Sequence, residues 1–144
     1  MVALRVPAVL DSLAAISCYV QRLAAAAGLD KKPAYRLRLA VDEIATNIIT
    51  HGYLEAGRTG DVALQARMDT EGLTVILEDR GIPFDPSGRE RQEQARTREP
   101  LEARPIGGLG LLLALDGVDH FRYERVGDLN RNILMVRVGS PTQG

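Results

Sequence analysis

The sequence predicts an α+β domain in which helices cover one face of a mixed or antiparallel sheet. Two long segments with helical periodicity stand early in the chain, and the later segments with strand patterning come in hairpin pairs rather than as strict βαβ units. The length of 144 residues fits one domain with one core, so we expect a single domain over residues 1–144. The predicted order is βααββ, then a long irregular segment, then αββ.

The N-terminal part of the chain is predicted to hold one strand and two helices. Its start alternates Val and Leu with other residues and favours a short strand. Asp11 or Ser12 can cap the first helix, which we expect to stop near Gly28. Pro33 suits the first turn of the second helix, which we expect to reach about His51.

The middle of the chain predicts a hairpin and then a lid. Residues 61–68 alternate apolar and polar side chains, residues 73–77 form a more continuous apolar run, and residues 70–72 lie between them as a turn. Residues 86–106 hold five arginines and four glutamates but few large apolar side chains. Loops of that length are uncommon in compact domains unless they are lids or disordered, and the position between two glycine motifs favours a lid.

The C-terminal part is expected to return to regular structure. A helix is predicted to begin at Gly107 and to run to Leu115. Residues 120–125 and 132–138 carry strand patterning, and we expect them to pair through a turn at residues 127–128.

Composition and charge exclude some partners and compartments. The net charge of −1 gives no general electrostatic case for nucleic acid or an anionic membrane, and we expect neither as a partner. No run approaches the roughly 20 apolar residues of a membrane span, and the N-terminus lacks the features of a secretion signal, so we expect a cytoplasmic protein. Cys18 is the one cysteine, and its apolar helical surroundings predict a small buried side chain.

The second predicted helix carries a polar pair beside its core stripe. The apolar residues at i, i+4, i+7 and i+11 face the core: Leu37, Val41, Ile44 and Ile48. Glu43 and Asn47 share another face, at the boundary where a helix can line a cleft. The amide oxygen of Asn47 can ligate Mg²⁺, and Glu43 can accept a proton from an attacking hydroxyl or water. The structural alternative is an exposed helix face with one polar contact.

Two glycine-containing motifs indicate nucleotide chemistry. After the apolar run, Asp79 can accept a hydrogen bond from an exocyclic amino group such as that of adenine, and Gly81 permits close backbone approach. An ordinary turn is the alternative at this position. In the GGLG sequence of residues 107–110, backbone N–H groups at a helix start suit a phosphate, with a lid hinge as the alternative. The pattern is neither a P-loop nor a Rossmann fingerprint.

In this order, the motifs resemble those of the GHKL ATPase and kinase superfamily. Glu43-x-x-x-Asn47 resembles the N box of that superfamily, and Asp79-x-Gly81 resembles its first glycine box. Gly108-x-Gly110 resembles its second glycine box. The strings DEIATNIITHGY, EDRGIPFDP and GGLGL are most similar to the branch of anti-sigma-factor serine/threonine kinases. The resemblance covers nearly the whole chain. It implies a Bergerat-type two-layer sandwich, with helices on one face of the sheet and an ATP lid over about residues 86–106.

The resemblance also implies a role for each matching residue. Asn47 would ligate the Mg²⁺ that bridges the ATP phosphates, and Glu43 would act as general base on a substrate hydroxyl. Asp79 would bind the adenine amino group, with Gly81 beside the ring. The glycines of the second glycine box would contact phosphates: Gly108 and Gly110. Arg104, the lid arginine nearest that box, is our candidate for holding the γ-phosphate, and a solvated lid side chain is the alternative.

These features predict a Mg²⁺/ATP-dependent kinase that acts as an anti-sigma factor. Its expected partners are a small anti-anti-sigma protein of STAS type, phosphorylated on serine or threonine, and a sigma factor. A homodimer is expected from the resemblance alone. Two alternatives stay open: a nucleotide-gated binding module that captures a regulator without phosphorylating it, and an adaptor that binds no nucleotide. A complete two-domain histidine kinase is not expected at this length, and we assign His51 a structural role at its helix end.

Overall fold

The computed structural model describes residues 2–86, 111 and 113–138 and confirms the α+β class. Its regular elements are, in chain order, β1 (Leu4–Pro7), a 3₁₀ turn (Leu10–Ser12), α1 (Leu13–Ala27), α2 (Lys31–Asn47), a π-helical segment (Ile48–Leu54), β2 (Asp61–Met68), β3 (Gly72–Asp79), β4 (His120–Val126) and β5 (Leu129–Arg137). The strand order is β1-β2-β3-β5-β4, with every neighbouring pair antiparallel. Of the two sheet types that the sequence allows, the described residues adopt the antiparallel one.

Helices α1 and α2 share one core with the sheet face that they cover. The predicted stripe of α2 is buried in this core: Leu37, Val41, Ile44 and Ile48. The sheet contributes large buried side chains from three strands: Leu64, Leu73, Leu77 and Leu134. Because alternate residues of a strand point to the same face, Asp79 lies on the helix-facing side together with Leu77. The fold therefore directs the predicted first glycine box toward the helical layer.

Helix α1 ends where the sequence predicts but differs in two details. Gly28 follows its last turn with φ 74°, a left-handed conformation that glycine adopts without strain. Ser12 occupies the N-cap position, yet its side chain makes no capping hydrogen bond. The prediction of a buried Cys18 is wrong, since this residue is exposed. Ile16 and Val20 are buried, and a residue two positions from each of them lies on the opposite side of the helix.

Helix α2 continues further than its sequence pattern indicates. Pro33 lies in the first turn, as predicted, and the π-helical segment carries the chain past the predicted end at His51. Within this segment the carbonyl of Gly52 accepts a hydrogen bond from the backbone N–H of Ile82 at 3.0 Å. A tertiary contact therefore ties the widened helix end to the residues that follow β3, which periodicity along one segment does not reveal.

The first hairpin is close to its prediction. Strand β2 covers the predicted residues 61–68, while β3 starts at Gly72 and reaches Asp79, beyond the predicted 73–77. Between them, Oδ1 of Asp69 accepts the backbone N–H of Glu71 at 2.8 Å. The turn is therefore held by an aspartate that bonds to the backbone two residues later.

The second hairpin begins its last strand earlier than predicted. Strand β5 starts at Leu129 rather than at residue 132, because Gly127, with φ 64°, completes the turn within two residues. The start of this strand places two polar side chains on the buried face: Asn130 and Asn132. The polarity of Asn130 explains why the sequence pattern does not predict this first part of the strand, since buried strand positions are expected to be apolar.

Several predicted features lie outside the described residues. These are the lid from residue 87 onward, with Arg104, and the second glycine box with Gly108 and Gly110. Of the helix predicted from residue 107 to 115, residues 111 and 113–116 are described and helical, and Leu111 is buried in the core. Over the described ranges, none of the helices combines the length and apolar character that crossing a bilayer requires.

Candidate active site

The polar pair lies at the edge of the buried face of α2. Glu43 and Asn47 are half-buried, one helical turn apart, while their neighbours Ile44 and Ile48 are in the core. This is the boundary position that the helical spacing predicts. Side chains placed in this way can reach a ligand beside the helix and still be fixed by the packed stripe next to them.

Asp42 adds a second carboxylate beside Glu43. Its Oδ1 is buried and has no hydrogen-bond partner among the described residues. Burial raises the pKa of the Asp42 carboxyl, the positive charge of Arg38 opposes this shift, and the negative charge of Glu43 adds to it. The candidate general base therefore has a neighbouring carboxyl group whose pKa is shifted, which makes Asp42 a natural control residue for charge effects on this helix.

Asp79 ends β3 as a buried carboxylate with one oxygen engaged. Only 4% of the residue is exposed. Its Oδ1 accepts the backbone N–H of Gly81 at 2.9 Å and Nδ2 of Asn130 at 3.0 Å. Burial raises the pKa of the Asp79 carboxyl, and these two hydrogen bonds oppose the shift. Within the described part of the chain, Oδ2 accepts no hydrogen bond, so this oxygen is the one that can take a ligand donor.

Gly81 packs directly against the end of the helical layer. A Cβ atom at this position would lie 2.6 Å from the backbone oxygen of Gly52, closer than real contacts allow. The close backbone approach predicted for Gly81 is therefore present, and its partner is another glycine. It permits the hydrogen bond between Ile82 and Gly52, so glycine is required here for packing whether or not a ligand lies nearby.

Two aromatic contacts strengthen the same junction. The rings of His51 and Phe84 stack with centroids 5.6 Å apart and planes inclined by 21°. His51 Nδ1 also lies 2.7 Å from Oε1 of Glu55. The hydroxyl of buried Tyr53 accepts the backbone N–H of Arg80 at 2.8 Å. The segment that continues from Asn47 is thus bound to the turn around Gly81, which connects the helix of the first predicted motif to the second motif.

The structure adds residues that the sequence motifs do not include. Asn130 hydrogen-bonds both Asp79 and the carbonyl of Gly81, the latter at 3.0 Å. Its Oδ1 accepts the hydroxyl of Tyr123 at 2.6 Å and Nη1 of Arg125 at 2.7 Å. An asparagine between the predicted turn at residues 127–128 and the predicted strand from residue 132 gave no signal of this role. Its burial in the sheet, 51 residues away from Asp79 along the chain, is what identifies it.

A cavity of about 380 Å³ lies near Asp79 but does not include the polar pair of α2. Its walls combine strand residues with the loop after the π-helical segment: Arg5, Tyr53, Thr59, Gly60, Asp61, Ala63, Glu78, Asp79, Arg80 and Leu129. Residues such as Ala63 and Glu78 point away from the helices, since they alternate with Val62 and Asp79 along their strands. A site that combines Asp79 with the polar pair of α2 would therefore lie on the helix-facing side of the sheet, and this cavity contains only its Asp79.

Comparisons with known proteins identify the family of the chain. Residues 6–137 match the family described as the histidine kinase-like ATPase domain. The serine-protein kinase RsbW of Bacillus cereus strain AH187 is 27% identical over 111 residues, which are 76% of this chain and 68% of that protein. The serine-protein kinase RsbW of Bacillus anthracis strain CDC 684 has the same identity and coverage.

Solved structures agree on the fold. The structure of the RsbU and RsbW domains of Rv1364c from Mycobacterium tuberculosis matches 98% of this chain with a TM-score of 0.65 and 17% identity, and this chain spans about a third (34%) of that protein. The SiaB–SiaC complex from Pseudomonas aeruginosa matches 96% of this chain and 90% of that chain, with a TM-score of 0.56 and 13% identity. With the family match over residues 6–137, these findings establish that the chain belongs to the histidine kinase-like (GHKL) ATPase domain family and is similar to the RsbW serine-protein kinases.

Proposed function

We propose that this protein is a Mg²⁺/ATP-dependent serine/threonine protein kinase that acts as an anti-sigma factor. Its substrate would be a small anti-anti-sigma protein of STAS type, and its regulatory target a sigma factor. The observation that carries the proposal is the junction of the α2 chain with the turn after β3, because it brings a polar pair and a buried carboxylate to one end of the fold. The similarity to RsbW kinases supports the substrate class.

The Asp79 carboxylate fits an adenine amino group. Oδ1 is held by Gly81 and Asn130, and Oδ2 has no hydrogen bond among the described residues. A carboxylate oxygen without a donor gains a charge-assisted hydrogen bond when a ligand N–H reaches it. We assign phosphate binding, from the sequence motifs alone, to residues outside the described ranges: Gly108, Gly110 and Arg104.

Asn47 fits a role as the protein ligand of Mg²⁺. Its half-buried carboxamide offers a neutral oxygen, and Mg²⁺ accepts one or two protein oxygens together with phosphate oxygens and water. Bound there, the ion would neutralise charge on the phosphates. Asn47 would thus fix the triphosphate relative to α2, which also carries the proposed base.

Glu43 would then act on the protein substrate. Its carboxylate accepts the proton of a serine or threonine hydroxyl, whose oxygen forms a bond to the γ-phosphorus of ATP. The bond from that phosphorus to the β–γ bridging oxygen breaks, and ADP leaves. Most of the rate enhancement in such transfers comes from positioning and charge neutralisation, and the base contributes a smaller factor.

The test compares two neighbouring carboxyl groups on α2. Glu43→Gln keeps the side-chain shape but cannot act as a base, so we expect ATP binding within about twofold of the parent. Phosphoryl transfer in single turnover should fall about 10²–10⁴-fold. Asp42→Asn is the matched control, since it removes a carboxylate one residue away, and should leave the transfer rate nearly unchanged. A third variant, Asn47→Ala, should lose Mg²⁺-dependent ATP binding and transfer together.

The outcomes separate the competing functions. Transfer at the parental rate by Glu43→Gln removes Glu43 from the role of base. If the parent binds ATP and its STAS-type partner but transfers no phosphate, the protein is a nucleotide-gated binding module. Failure of the parent to bind ATP or ADP in calorimetry would leave only the adaptor function.

A further inference from the structure

The side chain of Asn130 occupies a row of three residues across the sheet. At the start of β5 it pairs with Asp79 on β3 and with Arg125 on β4, so all three residues share one level of the sheet. Only 2% of Asn130 is exposed. An asparagine buried to this extent needs partners for both ends of its amide, because an unpaired polar group in the interior costs free energy.

The partners of Asn130 fix the orientation of its amide. Arginine can only donate hydrogen bonds, so the amide atom 2.7 Å from Nη1 of Arg125 is the oxygen. The hydroxyl of Tyr123 donates to the same oxygen at 2.6 Å. The amide nitrogen is therefore turned toward Asp79, with its two hydrogens directed to Oδ1 of Asp79 and to the carbonyl of Gly81, each at 3.0 Å. All four hydrogen-bonding positions of the amide are used.

This orientation decides which oxygen of Asp79 remains available. The Asn130 amide and the backbone N–H of Gly81 both hold Oδ1, so the carboxylate cannot rotate without breaking two hydrogen bonds. The bond to the Gly81 carbonyl holds the backbone of the glycine turn at the same time. One side chain thus positions both the carboxylate oxygen and the turn that would face the nucleobase of a ligand. The positive charge of Arg125 also lowers the pKa of the Asp79 carboxyl and so opposes the effect of burial.

We propose that Asn130 is the positioning residue for 6-aminopurine specificity, with its amide oriented by Tyr123 and Arg125. The ligand class is a nucleoside di- or triphosphate whose base carries an exocyclic amino group at position 6. This inference rests on the proposed nucleotide-binding function. It extends that function to a residue that acts through Asp79 and does not itself touch the ligand.

A structural role alone makes a different prediction from a positioning role. A residue that only stabilises the fold changes the free energy of unfolding but binds two similar nucleotides with an unchanged ratio of affinities. A residue that positions Asp79 changes that ratio, because ATP has an amino group where inosine triphosphate (ITP) has a carbonyl oxygen. The ratio of the two dissociation constants is therefore the decisive measurement, and it is taken on the folded fraction.

The experiment measures ATP and ITP binding by calorimetry in the full chain. Asn130→Asp keeps the shape but removes both amide donors, and we expect the preference for ATP over ITP to fall about tenfold, the size of one lost hydrogen bond. Tyr123→Phe is the milder variant, which removes one donor to the Asn130 oxygen. It should reduce the preference by about threefold, about half of that effect on a logarithmic scale.

Asn132→Asp is the matched control for placing a carboxyl group in this sheet. Asn132 is 1% exposed, lies two residues away on the same face, and forms cross-strand pairs with Leu77 of β3 and Tyr123 of β4 rather than with Asp79 and Arg125. We expect this variant to lose stability in thermal unfolding but to keep the parental ratio of ATP to ITP affinity.

The results distinguish this inference from the function on which it rests. An unchanged ratio in both Asn130→Asp and Tyr123→Phe, with Asp79→Asn losing the preference, would overturn the positioning role and leave adenine recognition intact. A parent that shows no preference for ATP over ITP would overturn both. If Asn130→Asp does not fold, Tyr123→Phe decides alone, because its isosteric change removes one hydroxyl from a part-buried site.

Discussion

Replacing Asp79 by asparagine tests adenine recognition without dismantling the site. The oxygen of asparagine can take the place of Oδ1 and keep both internal hydrogen bonds, from Gly81 and from Asn130. The amide nitrogen then replaces Oδ2, so a hydrogen-bond donor stands where the parent has an acceptor. Because burial raises the pKa of Asp79, the ionised carboxylate is disfavoured in the fold, and its removal should not weaken folding.

The expected effect on binding follows from the loss of one charge-assisted hydrogen bond. Such a bond contributes about 1.5–3 kcal/mol, so the affinity of Asp79→Asn for ATP should fall about 10- to 150-fold. For ITP the substitution should raise the affinity instead of lowering it, since the new amide nitrogen can donate to the carbonyl oxygen at position 6. We therefore expect the variant to bind ITP at least as well as ATP, whereas the parent prefers ATP.

Calorimetry with ATP and ITP, accompanied by urea unfolding, measures both parts of this prediction. The free energy of unfolding of Asp79→Asn should equal or exceed that of the parent near neutral pH. Equal ATP affinity in a folded variant would refute the role of Asp79 in binding adenine. A strongly destabilised variant would refute the argument that an amide can keep the two internal hydrogen bonds.

Two further predictions concern pH and packing. The raised pKa of Asp79 means that the folded state holds its proton to higher pH than the unfolded state does. The unfolding free energy of the parent relative to Asp79→Asn should therefore fall as the pH rises from the ordinary pKa of 3.8 through the raised pKa, and level off above it. Urea titrations that show a difference independent of pH over that interval would contradict this prediction. ATP affinity should fall on acidification through the same pKa, since the acceptor must be ionised. Gly81→Ala places a Cβ 2.6 Å from the Gly52 oxygen and should lower the free energy of unfolding by about 1–3 kcal/mol in chemical denaturation. Gly52→Ala is the tolerated control, since its Cβ would be 3.8 Å from its nearest neighbour. Similar stability of the two variants would argue against the tight junction.

Local sequence patterns were sufficient for the elements and for the face of α2. The apolar spacing from Leu37 to Ile48 places one stripe in the core whatever the rest of the chain does, and this fixes the edge position of Glu43 and Asn47. Gly28 ends α1 because few other residues adopt its left-handed conformation without strain. Cys18 shows the limit of the same approach, because apolar neighbours along the chain predict burial only for residues on the core-facing side of the helix, and Cys18 lies on the other side.

Contacts between distant segments were decided only by the tertiary structure. Strand pairing set Asn130 opposite Asp79, and no spacing along the chain encodes which residues meet across a sheet. The same holds for Gly52 and Gly81, whose backbone contact depends on the helix and the strand ending at the same place. The motifs by themselves thus predicted a chemistry for the acidic, amide and glycine residues. Only the fold selected Oδ1 of Asp79 for internal bonds, because that choice depends on Asn130 of β5 and on the β4 side chains that orient its amide.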